Sequence, residues 1–409
     1  LAQQIALGIV PEGTVLPPRN DSVKAWDAHS DDERRVFSRL AGAYGAMLEH
    51  TDQQLGRLMD FLEQANLLNN TLVLLLSDNG ASQEGGPNGF INAMGPYNLQ
   101  PESMAQKLAR LDDIGGPDTH SNFPWGWAMA SNTPLKRYKQ NTHGGGIRDP
   151  LVISWPAKIP TDGSIRTQFC HVSDLNPTIL DLINVKVAAA DEVGTLGTSF
   201  AATLTDPTAD TGKTTQYFEM FGHRGIVHNG WKAVAYHPPG SAFEDDEWEL
   251  YNLDADFNEN QDLADAHPQR LAEMQAIWWQ EAEANQVLPL DDRFAPRFAE
   301  NAERHRGGRT HYTFWPGMGH LPSEVAPDLR SRSYTLTATV DLTSATEQGV
   351  LIAHGDATGG YSLYLENGYL IHDLNIGGNH QLLKSAQPLS PGHHELSLRM
   401  RRSKKTDGS

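Results

Sequence analysis

The sequence is poor in cysteine, in basic residues and in long apolar runs. Cys170 is the only cysteine among 409 residues, so no internal disulfide can form and the redox compartment stays open. Lysine and arginine total 32 against 51 acidic residues, and the formal net charge of −19 argues against a nucleic-acid partner. No apolar run approaches the roughly 20 residues that a membrane helix needs. We therefore expect neither a nucleic-acid partner nor a membrane.

The length of the chain indicates two or three domains, because 409 residues are more than one compact domain usually holds. Its apolar content of 39% is ordinary for a globular protein. The first residue is Leu1, no signal segment follows it, and the last residues, "RRSKKTDGS", have no clear structural ending. We therefore expect a fragment that is cut at both ends.

A helix followed by an apolar strand is the clearest local pattern. From about Asp31 to Leu62, apolar residues recur at three- and four-residue steps, which predicts a helix with one apolar stripe. The run Leu72–Leu76 then has the length and composition of a strand that is buried on both faces. A helix, a tight turn and such a strand predict a parallel sheet that helices cover.

The predicted strand ends in two polar residues, Asp78 and Asn79, which Gly80 follows. Ligands of open α/β sheets bind outside the carboxyl ends of the strands. Neighbouring carboxylate and amide oxygens suit a hard cation such as Ca²⁺ or Mg²⁺. The alternative is a simple turn, for which Asp-Asn-Gly is well suited. The tripeptide by itself leaves both interpretations open.

The pattern changes twice in the rest of the chain. Residues 80–133 are rich in Gly, Pro, Asn and Trp without a regular period, which is typical of a functional or disordered stretch. Residues 213–285 indicate several strands and then a helix. Beyond residue 310, strict alternation and the hairpin signal Asn367-Gly368 predict an all-β sandwich with too few strands to be complete.

Several motifs, in one order along the chain, resemble the sulfatase family of the alkaline-phosphatase-like superfamily, and bacterial arylsulfatases in particular. The resemblance covers nearly the whole chain. It implies an α/β fold, with an incomplete mixed sheet that has helices on both faces, followed by a smaller α+β domain with an antiparallel sheet. The segments that carry it are "YGAMLEHTDQQLGRLMDFL", "SDNGASQEGG", "NTPLKRYKQNTHGGGIRDPLVISWP", "HVSDLNPTILDL", "QYFEMFGHRGIVHNGWKAV", "WELYNLDADFNENQDL" and "YTFWPGMGHLP".

The resemblance implies roles for particular residues. Asp78 and Asn79 match the pair that ligates the single active-site Ca²⁺ of the family, with Mg²⁺ less expected. Lys139 matches the lysine that contacts the sulfate and the ester oxygen of a small-molecule sulfate ester. His143 is a candidate for substrate binding, with a structural histidine as the alternative. Gly144 stands where the family motif has a glutamate, so a side chain that would support Lys139 is absent.

Domain boundaries and further substrate contacts follow from the same resemblance. Loops vary most among homologues, so substrate contacts are expected in residues 85–133, where His120, Trp125 and Trp127 are candidates. The expected domains are residues 1–209 for the C-terminal part of the catalytic α/β domain, 210–309 for the smaller α+β subdomain, and 310–409 for a truncated sandwich-like β domain.

The nucleophile that the resemblance implies is absent from this chain. Sulfatases of the family act through a formylglycine made from Cys or Ser in a Cys/Ser-x-Pro-x-Arg motif, and the hydrated aldehyde attacks sulfur. Cys170 has Val172 and Asp174 where Pro and Arg are required, so we expect it to be a structural, partly buried thiol. The nucleophile is expected in a missing N-terminal part, on which a formylglycine-generating enzyme would act. The isolated chain is then expected to lack turnover.

Alternative functions remain open. A phosphodiesterase or phosphonate monoester hydrolase of the same superfamily would share much of the metal site. From another class, the chain would be non-catalytic, either glycan-binding through its β region or a degenerate sulfatase-like protein. A serine esterase is disfavoured: His143–Gly146 matches an oxyanion loop, but the residues before Gly197–Ala201 do not read as the strand that a nucleophile elbow needs. A soluble protein of the bacterial cytoplasm or periplasm is expected.

Overall fold

The structure is a computed structural model that describes residues 1–403 except 98–99, 161, 187–196, 323–324, 330–331 and 357. Its helices are α1 (Ala2–Ala6), α2 (Asp31–Gln64), α3 (Met94–Tyr97), α4 (Met104–Ala109), α5 (Trp125–Ser131), α6 (Gly144–Ile147), α7 (Leu175–Leu182), α8 (Pro268–Ala284) and α9 (Phe294–Arg306). Its strands are β1 (Val73–Leu76), β2 (Leu151–Ser154), β3 (Thr215–Met220), β4 (His223–His228), β5 (Trp231–Ala235), β6 (Trp248–Asn252), β7 (Tyr334–Leu342), β8 (Gly349–Asp356), β9 (Gly359–Glu366), β10 (Tyr369–Ile376), β11 (Asn379–Lys384) and β12 (Gly392–Met400).

The chain divides into two compact units, each built from two segments. Unit 1 combines residues 1–89 with 122–292, and unit 2 combines residues 90–121 with 293–409. Residues 90–121 therefore group with the C-terminal β region, although the sequence assigns them to the first domain. The boundaries after residues 209 and 309 remain predictions.

Helix α2 in unit 1 begins at a capping box. The Ser30 hydroxyl accepts a hydrogen bond from the Glu33 N–H at 3.2 Å, and the Glu33 carboxylate accepts one from the Ser30 N–H at 2.8 Å. The predicted helix is confirmed, but only its first turns are covered. Buried side chains are Val36, Phe37 and Leu40, whereas the exposed ones include Met47, Leu48, Leu58 and Phe61.

The strand that precedes Asp78 pairs differently from the expectation. β1 pairs with β2 in antiparallel fashion, with Val73 opposite Ser154. In the described part of the chain these two strands form a sheet by themselves, and no parallel neighbour lies beside β1. Leu75 and Leu76 are 50% and 42% exposed. The expectation of a strand buried on both faces is therefore wrong at its carboxyl end, because no described element covers that part.

A second sheet of unit 1 follows the strand pattern of the sequence. It is antiparallel in the order β3-β4-β5-β6, and helix α8 packs on one face. Trp278 is fully buried there with Met274, Ile226 and Leu250, and its indole N–H donates to the Phe218 carbonyl at 3.1 Å. Together with α2 and the β1–β2 pair, this gives unit 1 a mixed α/β character.

Unit 2 contains two antiparallel sheets, one in the order β11-β10-β9-β8 and the other of β7 and β12. Leu342, Leu365 and Leu396 from both sheets share one apolar cluster. Asn367 and Gly368 join β9 to β10 with φ angles of 50° and 77°, which is the left-handed backbone that a two-residue hairpin needs. The hairpin prediction is therefore confirmed.

Residues 90–121 are held against the β region of unit 2 by Asn92, which is buried. Its amide nitrogen donates to the Gly377 carbonyl at 3.2 Å, and its amide oxygen accepts from the His120 N–H at 2.8 Å. The Glu102 carboxylate accepts from the N–H groups of Ile91 and Asn92. The segment predicted to be irregular thus has defined partners. Among the described helices, none combines the length and apolar character that crossing a bilayer requires.

Candidate active site

Backbone hydrogen bonds bring the end of β1 beside the glycine-rich loop that contains Lys139. The Ser77 N–H donates to the Pro150 carbonyl at 3.4 Å, and the Gly80 N–H donates to the Gly146 carbonyl at 3.2 Å. The Lys139 N–H donates to the Ala81 carbonyl at 3.1 Å. Two segments about 60 residues apart in sequence are therefore aligned, with Asp78 and Asn79 between the first two of these bonds.

Gly80 is required by this close approach. A Cβ atom at position 80 would lie 1.7 Å from the Gly145 carbonyl oxygen, a distance that no side chain tolerates. Asn132 reinforces the contact, because its side-chain oxygen accepts from the Ala81 N–H at 2.9 Å and its amide nitrogen donates to the Gly145 carbonyl at 2.8 Å. Gly80 of "SDNGASQEGG" thus serves the packing of that segment against "HGGG".

Asp78 lies near a second carboxylate, Asp149, which the sequence reasoning missed. Burial, and after it the negative charge of Asp78, raises the pKa of Asp149 to about 6. The Asn79 amide nitrogen donates to the Gly80 carbonyl at 3.1 Å, which leaves the amide oxygen to other partners. Two mutually repelling carboxylates and an amide oxygen are a donor set that fits a hard cation.

The residues described here supply only part of a metal shell. Among them, no three His, Cys, Asp or Glu side chains gather into a group that would hold a metal ion. Ca²⁺ takes six to eight oxygen ligands, which is more than Asp78, Asn79 and Asp149 provide. The metal-ligand roles of Asp78 and Asn79 therefore remain predictions.

The Lys139 side chain forms an ion pair with Glu84, at 2.9 Å between Nζ and Oε1. Next to this pair, the Gln83 amide nitrogen donates to the Gln140 side-chain oxygen at 2.6 Å. Glu84 belongs to the same "SDNGASQEGG" segment as Asp78, but its partner 55 residues away is not visible in the sequence. The contact of Lys139 with a sulfate stays a prediction, and it would require Glu84 to share this ammonium group.

His143 lies beneath the loop surface, with 1% of its side chain exposed. Its Nε2 is 3.0 Å from the Glu249 carboxylate, to which Lys136 Nζ donates at 2.7 Å and the Tyr251 hydroxyl also donates. Burial lowers the pKa of His143 and the hydrogen bond to Glu249 opposes this effect. These surroundings agree with the structural alternative for His143, and substrate binding by it remains a prediction.

Gly144 receives a carboxylate from elsewhere in the chain. Its N–H donates to both oxygens of Glu259 at 3.0 Å, and Lys232 Nζ lies 2.5 Å from the same group. A Cβ at position 144 would lie 3.3 Å from a Glu259 oxygen. Burial acts to raise the pKa of Glu259, but the charge of Lys232 holds it below its usual value. A buried ion pair between Lys232 of β5 and Glu259, which follows β6, thus supports the glycine-rich loop.

The remaining candidates are dispersed. Trp125 donates its indole N–H to the Gln83 carbonyl at 2.8 Å and so lies near the Lys139 segment, whereas His120 belongs to unit 2. Cys170 has exposed surface, but burial still raises the pKa of its thiol, so the expectation of a structural, partly buried thiol stays a prediction. Of the segment before Ser199, residues 187–196 lie outside the described residues, and the Ser199 hydroxyl accepts from the Ala201 N–H as in an ordinary turn.

Family comparisons connect this geometry to known proteins. Residues 17–185 match the sulfatase family model, and residues 136–286 match the model of the C-terminal region of N-sulphoglucosamine sulphohydrolase. An uncharacterized sulfatase of Schizosaccharomyces pombe is 32% identical over 304 residues, which are 71% of this chain and 52% of that protein. An arylsulfatase of Klebsiella aerogenes is 31% identical over 186 residues, 45% of this chain and 38% of that enzyme.

Solved structures of sulfatases are also among the similar proteins. A putative sulfatase from Bacteroides fragilis is 16% identical, with a TM-score of 0.40 over 66% of this chain and 46% of that one. In the sequence comparisons, the chain spans about half the length of the S. pombe relative and 38% of the Klebsiella enzyme. The two family models together match residues 17–286, and on these matches and the sequence relatives the chain belongs to the sulfatase family.

Proposed function

We propose that this chain is part of a sulfuric ester hydrolase of the arylsulfatase type, acting on a small-molecule sulfate ester. The observation that carries the proposal is the alignment of Asp78 and Asn79 with the Lys139 loop through three backbone hydrogen bonds. A cation-binding pair and a lysine are what a sulfate ester needs to stabilise the negative charge that develops when its sulfur is attacked and the alcohol leaves. The Klebsiella relative, an arylsulfatase, supports the ester class.

The cation is proposed to be Ca²⁺, held in part by Asp78 and Asn79. Asp149 is proposed as a further oxygen donor or as a nearby charge, because its carboxylate already interacts with that of Asp78. A bound divalent cation would polarise sulfate oxygens and would balance these two acids. Ca²⁺ is preferred to Mg²⁺ because it accepts irregular, all-oxygen surroundings.

Lys139 is proposed to bind the sulfate and the ester oxygen. Its ion pair with Glu84 holds the ammonium group in place before a substrate arrives. The loop that carries Lys139 is supported from its other side. There, Glu249 binds Lys136 and His143, and Glu259 accepts a hydrogen bond from the Gly144 N–H. These contacts restrict the loop, so that Lys139 is preorganised.

The nucleophile is proposed to come from outside these 409 residues. The chain contains no Cys/Ser-x-Pro-x-Arg segment, so a formylglycine would be made elsewhere in the gene product by a formylglycine-generating enzyme. The isolated chain then has no turnover. Detectable hydrolysis of 4-nitrophenyl sulfate by the purified 409-residue chain would contradict this part of the proposal.

The decisive experiment uses the natural gene product that carries this sequence. We expect hydrolysis of 4-nitrophenyl sulfate in preference to 4-nitrophenyl phosphate, with loss of activity in EDTA and recovery with Ca²⁺. Lys139→Ala should lower kcat/KM for the sulfate about 100-fold, as loss of a transition-state charge contact does. Lys186→Ala, an exposed lysine of the same unit, is the control. Preference for phosphate or phosphonate esters would instead favour the related hydrolases of the superfamily.

A further inference from the structure

Unit 1 contains a cavity of about 640 Å³, and the substrate-contact candidates Trp125 and Trp127 are among its lining residues. Its walls come from residues 16–38, 87–88 and 124–135, and Asp78, Asn79 and Lys139 are not among its lining residues. The volume lies in the range of pockets that enclose small organic ligands. We propose that this cavity binds a small aromatic anion, an aromatic carboxylate or sulfonate. This inference does not depend on the proposed function.

Part of the cavity lining is aromatic, with the rings of Trp26, His29, Phe37, Trp125 and Trp127. Trp26 and Trp127 meet edge to face with ring centroids 5.8 Å apart. His29 lies 6.1 Å from Trp26 and 5.1 Å from Phe37, both in edge-to-face geometry. Trp125 is fixed by its hydrogen bond to the Gln83 carbonyl. Such an arrangement offers faces and edges against which a flat ring stacks favourably.

The charges in the lining favour an anion. Glu33 is the only acid among the lining residues, and it is already paired with Lys24 and His29, at 3.3 Å in each case, and with the Ser30 N–H. Its carboxylate is held strongly ionised, with a pKa lowered to about 2, chiefly by that N–H. Arg19 has no hydrogen bond or ion pair with any residue that the structure describes. In a chain of net charge −19, the lining of this cavity therefore includes an exposed cation that has no acidic partner among the described residues.

The irregular segment that carries Arg19 is anchored at several points. The Val15 carbonyl accepts hydrogen bonds from the side chains of Asn258 and Asn260, both at 2.7 Å. The side chains of Asn20 and Ser22 lie against the Tyr138 hydroxyl. A wall that is already held in place loses little conformational entropy when a ligand binds. This wall of the cavity is therefore held in place before a ligand binds.

Isothermal titration of the 409-residue chain tests the proposal, with 2-naphthalenesulfonate as the anion and 2-naphthol as its uncharged analogue. We expect saturable one-to-one binding of the sulfonate. Arg19→Gln should weaken it about tenfold, as loss of one charge-assisted contact does, and should leave binding of 2-naphthol unchanged. Trp26→Ala should weaken both ligands. Trp279→Ala is the matched control, because Trp279 on α8 is 43% exposed, as Trp26 is.

A spectroscopic experiment tests the proposal in the unsubstituted chain, so that its outcome does not depend on the folding of the Trp26→Ala variant. In the chain labelled with 5-fluorotryptophan, the sulfonate should shift the ¹⁹F signals of Trp26, Trp125 and Trp127, and not that of the buried Trp278. The proposal is overturned if no saturable binding appears at millimolar ligand or if the shifts fall outside these three residues. It is equally overturned if Arg19→Gln leaves the sulfonate affinity unchanged.

Discussion

Lys139 and Glu84 form an ion pair of 2.9 Å across 55 residues of the chain, and both side chains are partly exposed. The lysine that we assign to sulfate binding is thus neutralised before any substrate arrives. The pair has two opposite consequences. It orients the ammonium group, and it lowers the positive charge that an incoming sulfate would meet.

We expect Glu84→Gln to strengthen the binding of inorganic sulfate to the isolated chain by up to about fivefold, because removal of one exposed partner charge changes the interaction by up to about 1 kcal/mol. Isothermal titration with sodium sulfate at low ionic strength measures the effect. The double variant Glu84→Gln with Lys139→Ala should abolish the gain. If neither substitution changes the affinity for sulfate, Lys139 does not contact the anion.

Binding of Ca²⁺ by the chain should depend on Asp78. We expect weak, saturable binding of Ca²⁺, which Asp78→Asn reduces about tenfold or more because a carboxylate ligand is replaced by a neutral one. Terbium luminescence, sensitised by the tryptophans, reports occupancy directly. Asp181→Asn, an exposed acid on α7, serves as the control. Equal loss in both variants would indicate only diffuse attraction of cations to an acidic protein.

Gly80→Ala should destabilise unit 1 and separate the two aligned segments. The new Cβ would lie 1.7 Å from the Gly145 carbonyl oxygen, so the backbone must move, at a cost of about 1–3 kcal/mol or more. Gly56→Ala is the control, for which we expect a change in stability of the opposite sign. Position 56 is inside α2 with open space around it, so alanine should stabilise that helix by up to about 1 kcal/mol. Urea unfolding of both variants measures the difference.

The buried pair of Lys232 and Glu259 should matter far more to stability than the exposed pair of Lys24 and Glu33. Lys232→Met leaves the Glu259 carboxylate buried without its cation, and we expect a loss of about 3–5 kcal/mol in the free energy of unfolding. Lys24→Met should change it by less than about 1 kcal/mol. A small effect at Lys232 would mean that the Gly144 N–H alone suffices to keep Glu259 buried.

His223 should make the protein sensitive to acid. Burial lowers its pKa from 6.5 to about 3, and the charge of Arg137 acts in the same direction. Its Nδ1 accepts a hydrogen bond from the His237 N–H at 2.9 Å, which requires the unprotonated ring. Between these two pH values the unfolded chain binds a proton that the folded chain does not. Stability therefore falls as the pH drops from about 6.5 towards about 3, with a slope of up to about 1.4 kcal/mol per pH unit.

The measurement is the free energy of unfolding in urea at several pH values. His223→Gln should flatten the slope between about pH 6 and pH 4, because glutamine keeps an acceptor and has no group to protonate there. His50→Gln, at an exposed position of α2, should leave the slope as it is. An unchanged slope in His223→Gln would assign the acid sensitivity to other groups.

Short-range chemistry was readable from the sequence. The apolar period between about Asp31 and Leu62 predicted α2, and Asn367-Gly368 predicted the hairpin of β9 and β10. Asp78 and Asn79 were predicted at a strand end, where the structure has them directly after β1 and Ser77. Each of these features depends on residues only a few positions apart, and that is why pattern and propensity suffice for them.

Contacts between residues that are far apart in the sequence became known only from the tertiary structure. The local patterns did not predict the antiparallel pairing of β1 with β2 or the exposure of Leu75. They also did not group residues 90–121 with unit 2. Glu84 and Glu259 reach the glycine-rich loop from 55 and 115 residues away. A sequence does not show which cation will pair with a given carboxylate or which strands will pair with each other. Both are determined by the surfaces that meet after the chain has folded.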